Sequence, residues 1–523
     1  MERQANASWP LEGEVIVYRD VNCSYPTRSP FHPHKAYPEY RFGHMTDPVD
    51  NRVYDAVRET LRLSSLDAEQ FGTPGWNPLG TFITPGQFVL LKPNWVSDRH
   101  PRDPDGWMYT ITHGSIVRAV ADYVWIALGG RGRVMVADGP QTDSSFDAIM
   151  ELSGIRDIER YYRDQGLAFE VTDLRSQEWQ NVEEVIVERR DLPGDPAGAV
   201  AFDLGGSSEF EGHGGAGRYY GADYDSSVVN RHHSGGRHEY LLAASAIQCD
   251  VLINLPKLKT HKKAGITVNL KNLVGVNADK NYLPHHTVGS PRDGGDQFPV
   301  RSIRNRLEQR GAATLRGFAL ATPVIGTLVL RRARRIGKRT FGDNDSVVRS
   351  GNWHGNDTTW RMCLDLNKIV IYGNPDGSLR EPGPSRRKPY LSFVDGIVAG
   401  EGNGPIDTDP VPVGLILFGT NPAEVDAVAA VVMGFRPEAI PVVHQAFHIK
   451  RFQLVSRPWR AVRCRSNVAG WDGELGGLDE AGVGLGFRPH FGWRGRIEQT
   501  PGPGVEAMRV VVPVGVAAEA PSA

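Results

Sequence analysis

Short apolar runs alternate with helical periodicity along much of the chain. Phe88-Val-Leu-Leu-Lys92 reads as a buried strand that ends in the polar turn Lys92-Pro-Asn-Trp95. From Ser115 to Leu128, the residues Ile116, Val117, Val120, Val124 and Ala127 recur at helical spacing, and Gly129-Gly130 closes that helix. Arg133 to Ala137 forms a second strand, followed by Asp138-Gly139-Pro140, and a helix is predicted over Ser145 to Leu152. Val251–Asn254, Leu391–Val394 and Val413–Phe418 are further short strands, the last leading into a helix over Pro422 to Met433. This alternation predicts an α/β fold: a mainly parallel sheet core with helices on both faces. In such sheets ligands bind beyond the carboxyl ends of the strands, so the polar groups just after them are the first candidates.

Two stretches break the pattern. Residues 175–238 are rich in Gly, Asp and Tyr and read as a loop-rich insertion; residues 301–339 read as a basic helical insertion. The expected organisation is an N-terminal extension over 1–84 packing on the core, a core over 85–435, and a C-terminal extension over 436–523 whose tail frays.

Composition sharpens this. A chain of 523 residues with 40 % hydrophobic and 23 % charged positions can fill a large core, which excludes wholesale disorder. The net charge of −2 conceals an asymmetry: Arg301 to Arg339 holds eleven basic residues and one acid, and the remainder has 48 basic against 60 acidic. An apolar block, Phe318 to Leu330, sits between the arginine clusters. The segment therefore suits peripheral contact with an anionic membrane, or with an acidic protein surface, and equally an internal structural role. Nucleic acid is not an expected partner, because the rest of the chain is acidic and carries no recognition motif. The longest apolar run, those 13 residues, contains Pro323 and is too short to span a bilayer. Met1 to Val17 has no apolar signal region, so a cytoplasmic protein, peripheral to the membrane at most, is expected. The cysteines at 23, 249, 363 and 464 form no CxxC pair, which argues against an iron–sulfur cluster and for buried thiols.

The most distinctive chemistry lies in Asn254 to Gly275. Lys257, Lys259, Lys262, Lys263 and Lys271 fall within 15 residues that contain no acid. Read as a strand, Thr267, Asn269 and Lys271 share one face; read as a helix, Thr267 and Lys271 are still neighbours. Clustered lysines attract phosphate or carboxylate, and crowding depresses a lysine pKa towards a general-base role; the bland alternative is a solvated basic loop. Lysines 257, 259 and 271, with His261, Thr267, Asn269 and Asn272, are the resulting candidates, joined by Lys92, Asn94 and Asp138 from the strand ends. Asp395 to Pro405 reads as a glycine-rich loop in which Gly402 and Gly404 let the backbone approach a ligand, and Asp395 and Glu401 bind a cation or share acid/base work; a tight surface turn is the alternative. It matches no phosphate-loop or dinucleotide fingerprint. His232, His233 and His238, and His285 and His286 with Asp296, are of the types that ligate zinc or another divalent ion, although adjacent histidines are no strong ligand signature. Asn356 or Asp357 can cap a helix with Met362, Leu366, Ile369 and Val370 on its apolar face, and with Arg361 they can face a ligand there.

These strings, in this order, resemble the domain-of-unknown-function 362 family: Lys92-Pro-Asn94, Thr112 to Val120, Ala137-Asp138-Gly139, Leu255 to His261 through Asn272-Leu-Val-Gly275, Asp395-Gly396 to Gly404-Pro405, and Glu424-Val-Asp426-Ala-Val-Ala. The blocks Tyr240 to Asp296 and Asn356 to Asp365 are similar to a larger subgroup associated with cell-surface polysaccharide gene neighbourhoods. The resemblance implies no particular reaction. Some relatives carry ferredoxin-type cysteines, which this chain lacks. The expected activity is then isomerase, epimerase, lyase or transferase chemistry on an anionic sugar phosphate or carboxylate. The lysines and Asn272 hold the substrate, a lysine or His261 moves a proton, and Asp395 or Glu401 is the partner base or cation ligand. The alternative is a non-catalytic anion-binding or scaffold protein docked through Arg301–Arg339.

Overall fold

The computed structural model describes residues 10–40, 46–47, 50–182, 185–221, 225–302, 347–383 and 387–502. Eleven strands form one sheet: β1 (Glu14–Arg19), β2 (Phe88–Pro93), β3 (Arg133–Asp138), β4 (Phe169–Asp173), β5 (Val251–Leu255), β6 (Lys257–His261), β7 (Gly265–Thr267), β8 (Tyr390–Asn403), β9 (Asp407–Gly419), β10 (Arg463–Ser466) and β11 (Gly473–Glu474). Their order is β11-β10-β1-β9-β8-β5-β2-β3-β4, with β6 paired to β8 and β7 to β6. The half from β8 to β4 is parallel throughout. Antiparallel pairing enters at β8–β9, β9–β1, β10–β11 and β6–β7.

The period of two along the strands divides the interior into two layers. Val89, Leu91, Val134, Val136, Val251 and Ile253 point to one face, where they meet the helices α1 (Arg52–Leu63), α2 (Gly114–Leu128), α3 (Phe146–Leu152) and α4 (Ile155–Asp164). Leu90, Met135 and Leu252 point to the other, against α6 (Thr359–Tyr372) and α7 (Pro422–Met433), which follow the single turn α5 (Asn269–Asn272) in the chain. Helices therefore cover both faces, as an α/β fold requires. Helix α2 starts where His113 Nδ1 accepts from Ser115 N, and it stops at Gly129, whose φ of 58° suits a residue without a Cβ. Helix α6 is started by Asn356, whose Oδ1 accepts from the amides of Thr358 and Thr359.

Two sequence expectations are corrected. Residues 175–238 are not simply loop: they hold the hairpin Gln177–Val182/Val185–Asp191, the strand Ala199–Asp203 paired with Glu239–Ala243, and a helix over Ser226–His232. In the hairpin, Gln177, Glu178, Gln180, Glu188, Arg189 and Arg190 interrupt the apolar positions and hide the period of two. The glycine-rich stretch after Asp395 is also no loop, because β8 runs through it to Asn403 in antiparallel register with β9, with one irregularity between Gly396 and Val398. Its glycines serve close backbone approach: a Cβ on Gly404 would stand 1.9 Å from the Thr260 carbonyl oxygen. Apart from Arg301 and Ser302, the basic segment to Arg339 lies outside the described residues, as does the C-terminal tail. Among the described residues, no helix is long and apolar enough to cross a membrane.

Candidate functional site

Parallel strands β2, β3 and β5 end side by side, and each delivers a buried polar side chain to the strand ends, where sheets of this kind form their ligand crevice. Lys92 closes β2, Asp138 closes β3, and Asn254, in register with Lys92, closes β5. Lys92 is fully buried; its Nζ lies 2.6 Å from Asp138 Oδ1 and donates to Asn272 Oδ1 at 3.2 Å. Asp138 also accepts from the amides of Trp95 and Gly139, so both oxygens are engaged. Burial lowers the Lys92 pKa; Asp138 opposes this and Lys271 adds to it.

Behind the crevice runs a chain of amides. Asn94 Nδ2 donates to Asn272 Oδ1 (2.9 Å), Asn272 Nδ2 to Asn254 Oδ1 (2.7 Å), and Asn254 Nδ2 to the Tyr390 hydroxyl (2.8 Å). Tyr390 donates to Asn269 Oδ1 (2.8 Å), and Asp426 accepts from the amides of Asn269 and Leu270. Asn94, Asn269 and Asn272, expected as substrate contacts, thus build the frame that fixes α5. Asn94 Oδ1 and Thr267 Oγ1 are buried without a hydrogen-bond partner.

The lysine stretch is neither one strand nor one helix. It folds as the hairpin β6–β7, followed by α5, because Gly265 turns the chain at a φ of 84° and Asp426 caps the amides that open α5. Lys257, Lys259 and His261 alternate onto one face of β6, and Thr267 lies directly opposite Lys259. Lys271 is carried on α5. Its charge acts on Lys92, Lys259, His261, Lys263, Lys280 and His285, which makes it the electrostatic centre of the group. Burial lowers the pKa of Lys271 itself, against the Cys363 thiol and Asp138. The Lys259 amine is held well below its ordinary value, first by burial and then by Lys257 and Lys271; it donates to the Thr110 carbonyl oxygen. Lys263 and Lys280 are each lowered to about 7, mainly by burial. Lys280 was not legible as a site residue in the sequence; it follows Asp279 in the same block and donates to the Val274 carbonyl oxygen at 3.2 Å. Among the described residues, Lys259, Lys263, Lys271 and Lys280 have no carboxylate ion-pair partner, whereas Lys92 and Lys257 do.

Two imidazoles complete the group. His261 Nδ1 accepts from the amides of Lys263 and Ala264, which places its proton on Nε2. Burial and the surrounding lysines keep it neutral. His285 has the opposite tautomer, since its Nδ1 faces the Leu283 carbonyl oxygen at 2.9 Å; burial and then Lys263 and Lys271 push its pKa down to about 3. One ring thus offers an N–H and the other a lone pair at Nε2.

Several expected site residues stand elsewhere. Asp395 pairs with Lys257 (3.1 Å) and accepts from Tyr25 (2.5 Å) and the His113 amide (3.0 Å), in a buried cluster adjoining Lys259. Tyr25, from the N-terminal extension, gave no sequence signal. Glu401 is six residues further along β8, about 20 Å away at strand rise, and accepts from the Arg488 amide. Asp395 and Glu401 therefore do not share one centre. Gly402 and Gly404 likewise lie against Thr260 and Arg488: the Thr260 hydroxyl donates to the Gly402 carbonyl oxygen, and the Gly402 amide donates to the Arg488 carbonyl oxygen.

The histidine–aspartate candidates do not form a ligand set. Asp296 spends its carboxylate on the amides of Thr287, Asp357 and Thr358 and on the Thr358 hydroxyl. His286 is packed on Tyr220, and among the described residues no group of three or more His, Cys, Asp or Glu is placed to hold a metal ion. His232 pairs with Glu239, and His233 faces the Tyr282 carbonyl oxygen. Asp357 and Arg361 satisfy each other at 2.9 Å.

A family model described as "Domain of unknown function (DUF362)" matches residues 89–195 and 180–431, which include every strand end of the crevice. The chain is also 23 % identical over 365 residues, 70 % of its own length and 68 % of the other's, to a thylakoid-associated protein of Synechocystis sp..

Proposed function

The chain belongs to the DUF362 family, and on that premise we propose that it is an enzyme acting on an anionic small molecule, a phosphate ester or carboxylate, bound in the crevice beyond β2, β3 and β5. The observation that carries this reading is a set of lysines without a carboxylate ion-pair partner among the described residues: Lys259, Lys271 and Lys280 share the field of Asp138, which Lys92 already engages, and Lys271 couples them to Lys263. Gathering charges of one sign in a partly dry site costs stability, and a bound anion offsets that cost. Lysines with pKa values near neutrality, and two neutral imidazoles of opposite tautomer, supply groups able to take and return a proton. This suits isomerisation, epimerisation, elimination or group transfer. The test is titration of the protein with inorganic phosphate at constant ionic strength, followed by thermal shift. A saturable rise in melting temperature that Lys271→Met and Lys263→Met abolish is expected; an equal rise in the variants overturns the reading.

A second reading, peripheral contact with an anionic membrane, is favoured by the eleven basic residues of 301–339 and by the name of the thylakoid-associated relative. Sedimentation with anionic vesicles at low salt tests it, and absence of binding there overturns it.

A further inference from the structure

The amine inventory of the crevice separates its lysines. Lys92 is engaged by Asp138 and Asn272, and Lys257 by Asp395, Tyr25 and the Met108 carbonyl oxygen. Lys259 is held by the Thr110 carbonyl oxygen, Lys280 by that of Val274, and Lys263 stands 3.5 Å from His286 Nδ1. Lys271 alone of these has no hydrogen-bond or ion-pair partner among the described residues. It is half-buried, so a ligand can reach it, and it is carried on a turn whose first amides Asp426 fixes.

We propose that Lys271 is a nucleophilic amine that forms an imine with the carbonyl group of an anionic oxo compound, a 2-oxo acid or a keto- or aldo-phosphate. This deepens the anion-binding reading and rests on it. Burial lowers the pKa of Lys271, so its amine is neutral more often than one in water, and the neutral form is the nucleophile. The groups coupled to it by charge are the amines of Lys92, Lys259, Lys263 and Lys280, the neutral imidazoles His261 and His285, and on the acidic side Asp138 and the Cys363 thiol. The lysine nitrogen lone pair bonds to the carbonyl carbon, and an N–H proton passes to the oxygen, giving a carbinolamine. A second proton, from the ammonium of Lys263 or Lys280, lets that oxygen leave as water, and the nitrogen becomes a protonated imine. The carbonyl must belong to an anion, because the lysines around Lys271 that lack a carboxylate partner bind the phosphate or carboxylate while the amine attacks.

The experiment incubates the full chain with pyruvate, and separately with dihydroxyacetone phosphate, in the presence of cyanoborohydride. This reductant converts an imine to a stable secondary amine. Peptide mass spectrometry then reads which lysine has gained the ligand plus two hydrogens less one water. Expected is a dominant adduct on the Lys271 peptide with at least one probe, suppressed by inorganic phosphate and lost in Lys271→Arg, which keeps the charge. Adducts spread over surface lysines, or none at Lys271 with either probe, overturn the proposal. If phosphate still binds saturably in that case, the anion site stands and only the imine fails; if phosphate does not bind either, both fail. Because the mapping is made on the wild-type protein, a Lys271 variant that fails to fold leaves the result readable.

Discussion

Replacing Asp138 by Asn tests the electrostatic account of the crevice most directly. In the wild type the pair Lys92–Asp138 is buried at 2.6 Å, and Asp138 accepts from the Trp95 and Gly139 amides as well. The amide of Asp138→Asn keeps one acceptor oxygen for three donors and leaves the Lys92 ammonium without a countercharge. Breaking a buried ion pair from one side costs about 3–5 kcal/mol. The ceiling is set by Lys92 giving up its proton. From the ordinary lysine value of 10.5 to pH 7, that costs about 5 kcal/mol at about 1.4 kcal/mol per unit. The sign of the pH dependence follows. A lysine whose pKa is depressed in the folded state leaves the unfolded chain holding more protons, so stability rises with pH. The deficit of Asp138→Asn at pH 7 should therefore shrink towards pH 9, by at most about 1.4 kcal/mol per unit. The same substitution in a Lys92→Met background should cost about 2–3 kcal/mol less than in the wild type, because no charge is left stranded. Urea denaturation followed by tryptophan fluorescence at both pH values measures all four proteins; the chain has 11 tryptophans as reporters. An equal loss in both backgrounds, unchanged between pH 7 and 9, would refute the reasoning and reduce Asp138 to an anchor for two amides.

Gly275→Ala should act on the same pair through sterics: its Cβ would fall 1.9 Å from Asp138 Oδ1 and 2.6 Å from Lys92 Nζ. A loss of roughly 1–3 kcal/mol in urea denaturation, with phosphate binding abolished, is expected. Sulfate stays dianionic across neutrality, so its affinity should fall between pH 6 and 8 as Lys263 and Lys280, both near 7, lose their protons; calorimetry showing a flat or rising affinity contradicts this. Asp296→Ala removes four accepted hydrogen bonds, three of them at the start of α6 and one from the Thr287 amide, and should cost about 2–5 kcal/mol by thermal or urea unfolding, without releasing any bound metal.

The parallel half of the sheet was readable from the sequence because its strands are short apolar runs bounded by polar turns, and α2 and α7 because a regular spacing ends at a glycine. The strand-end residues Lys92, Asn94 and Asp138 followed from that placement. Pattern failed where backbone contacts decide the outcome. Gly396, Gly400 and Gly402 read as loop, but their missing side chains let β8 continue beside β9 and close to β6. Asp395 and Glu401, neighbours in a loop, are far apart in a strand. Tyr25 and Lys280 reach the group through tertiary packing alone, and nothing local to either announces it. The two imidazole tautomers are set by the backbone amides of Lys263 and Ala264 and by the carbonyl of Leu283, which no periodicity records.

The amide chain from Asn94 to Asn269 has a consequence for how the crevice can work. Asn94, Asn272, Asn254, Tyr390 and Asn269 tie the strand ends to the turn bearing Lys271 through dipoles, and the Asp426 carboxylate holds the first amides of that turn. None of the asparagines can gain or lose a proton, and burial pushes the Tyr390 phenol well above the range of working pH. A change of charge on Lys259, Lys263, Lys271 or Lys280 alters none of these amide bonds; Lys92 alone of the described lysines donates into the chain, to Asn272 Oδ1. The amide chain is electrically silent, so successive protonation states of a reaction would meet the same geometry there, and the group through which pH can reach the turn is Asp426, whose carboxyl burial pushes up to about 7.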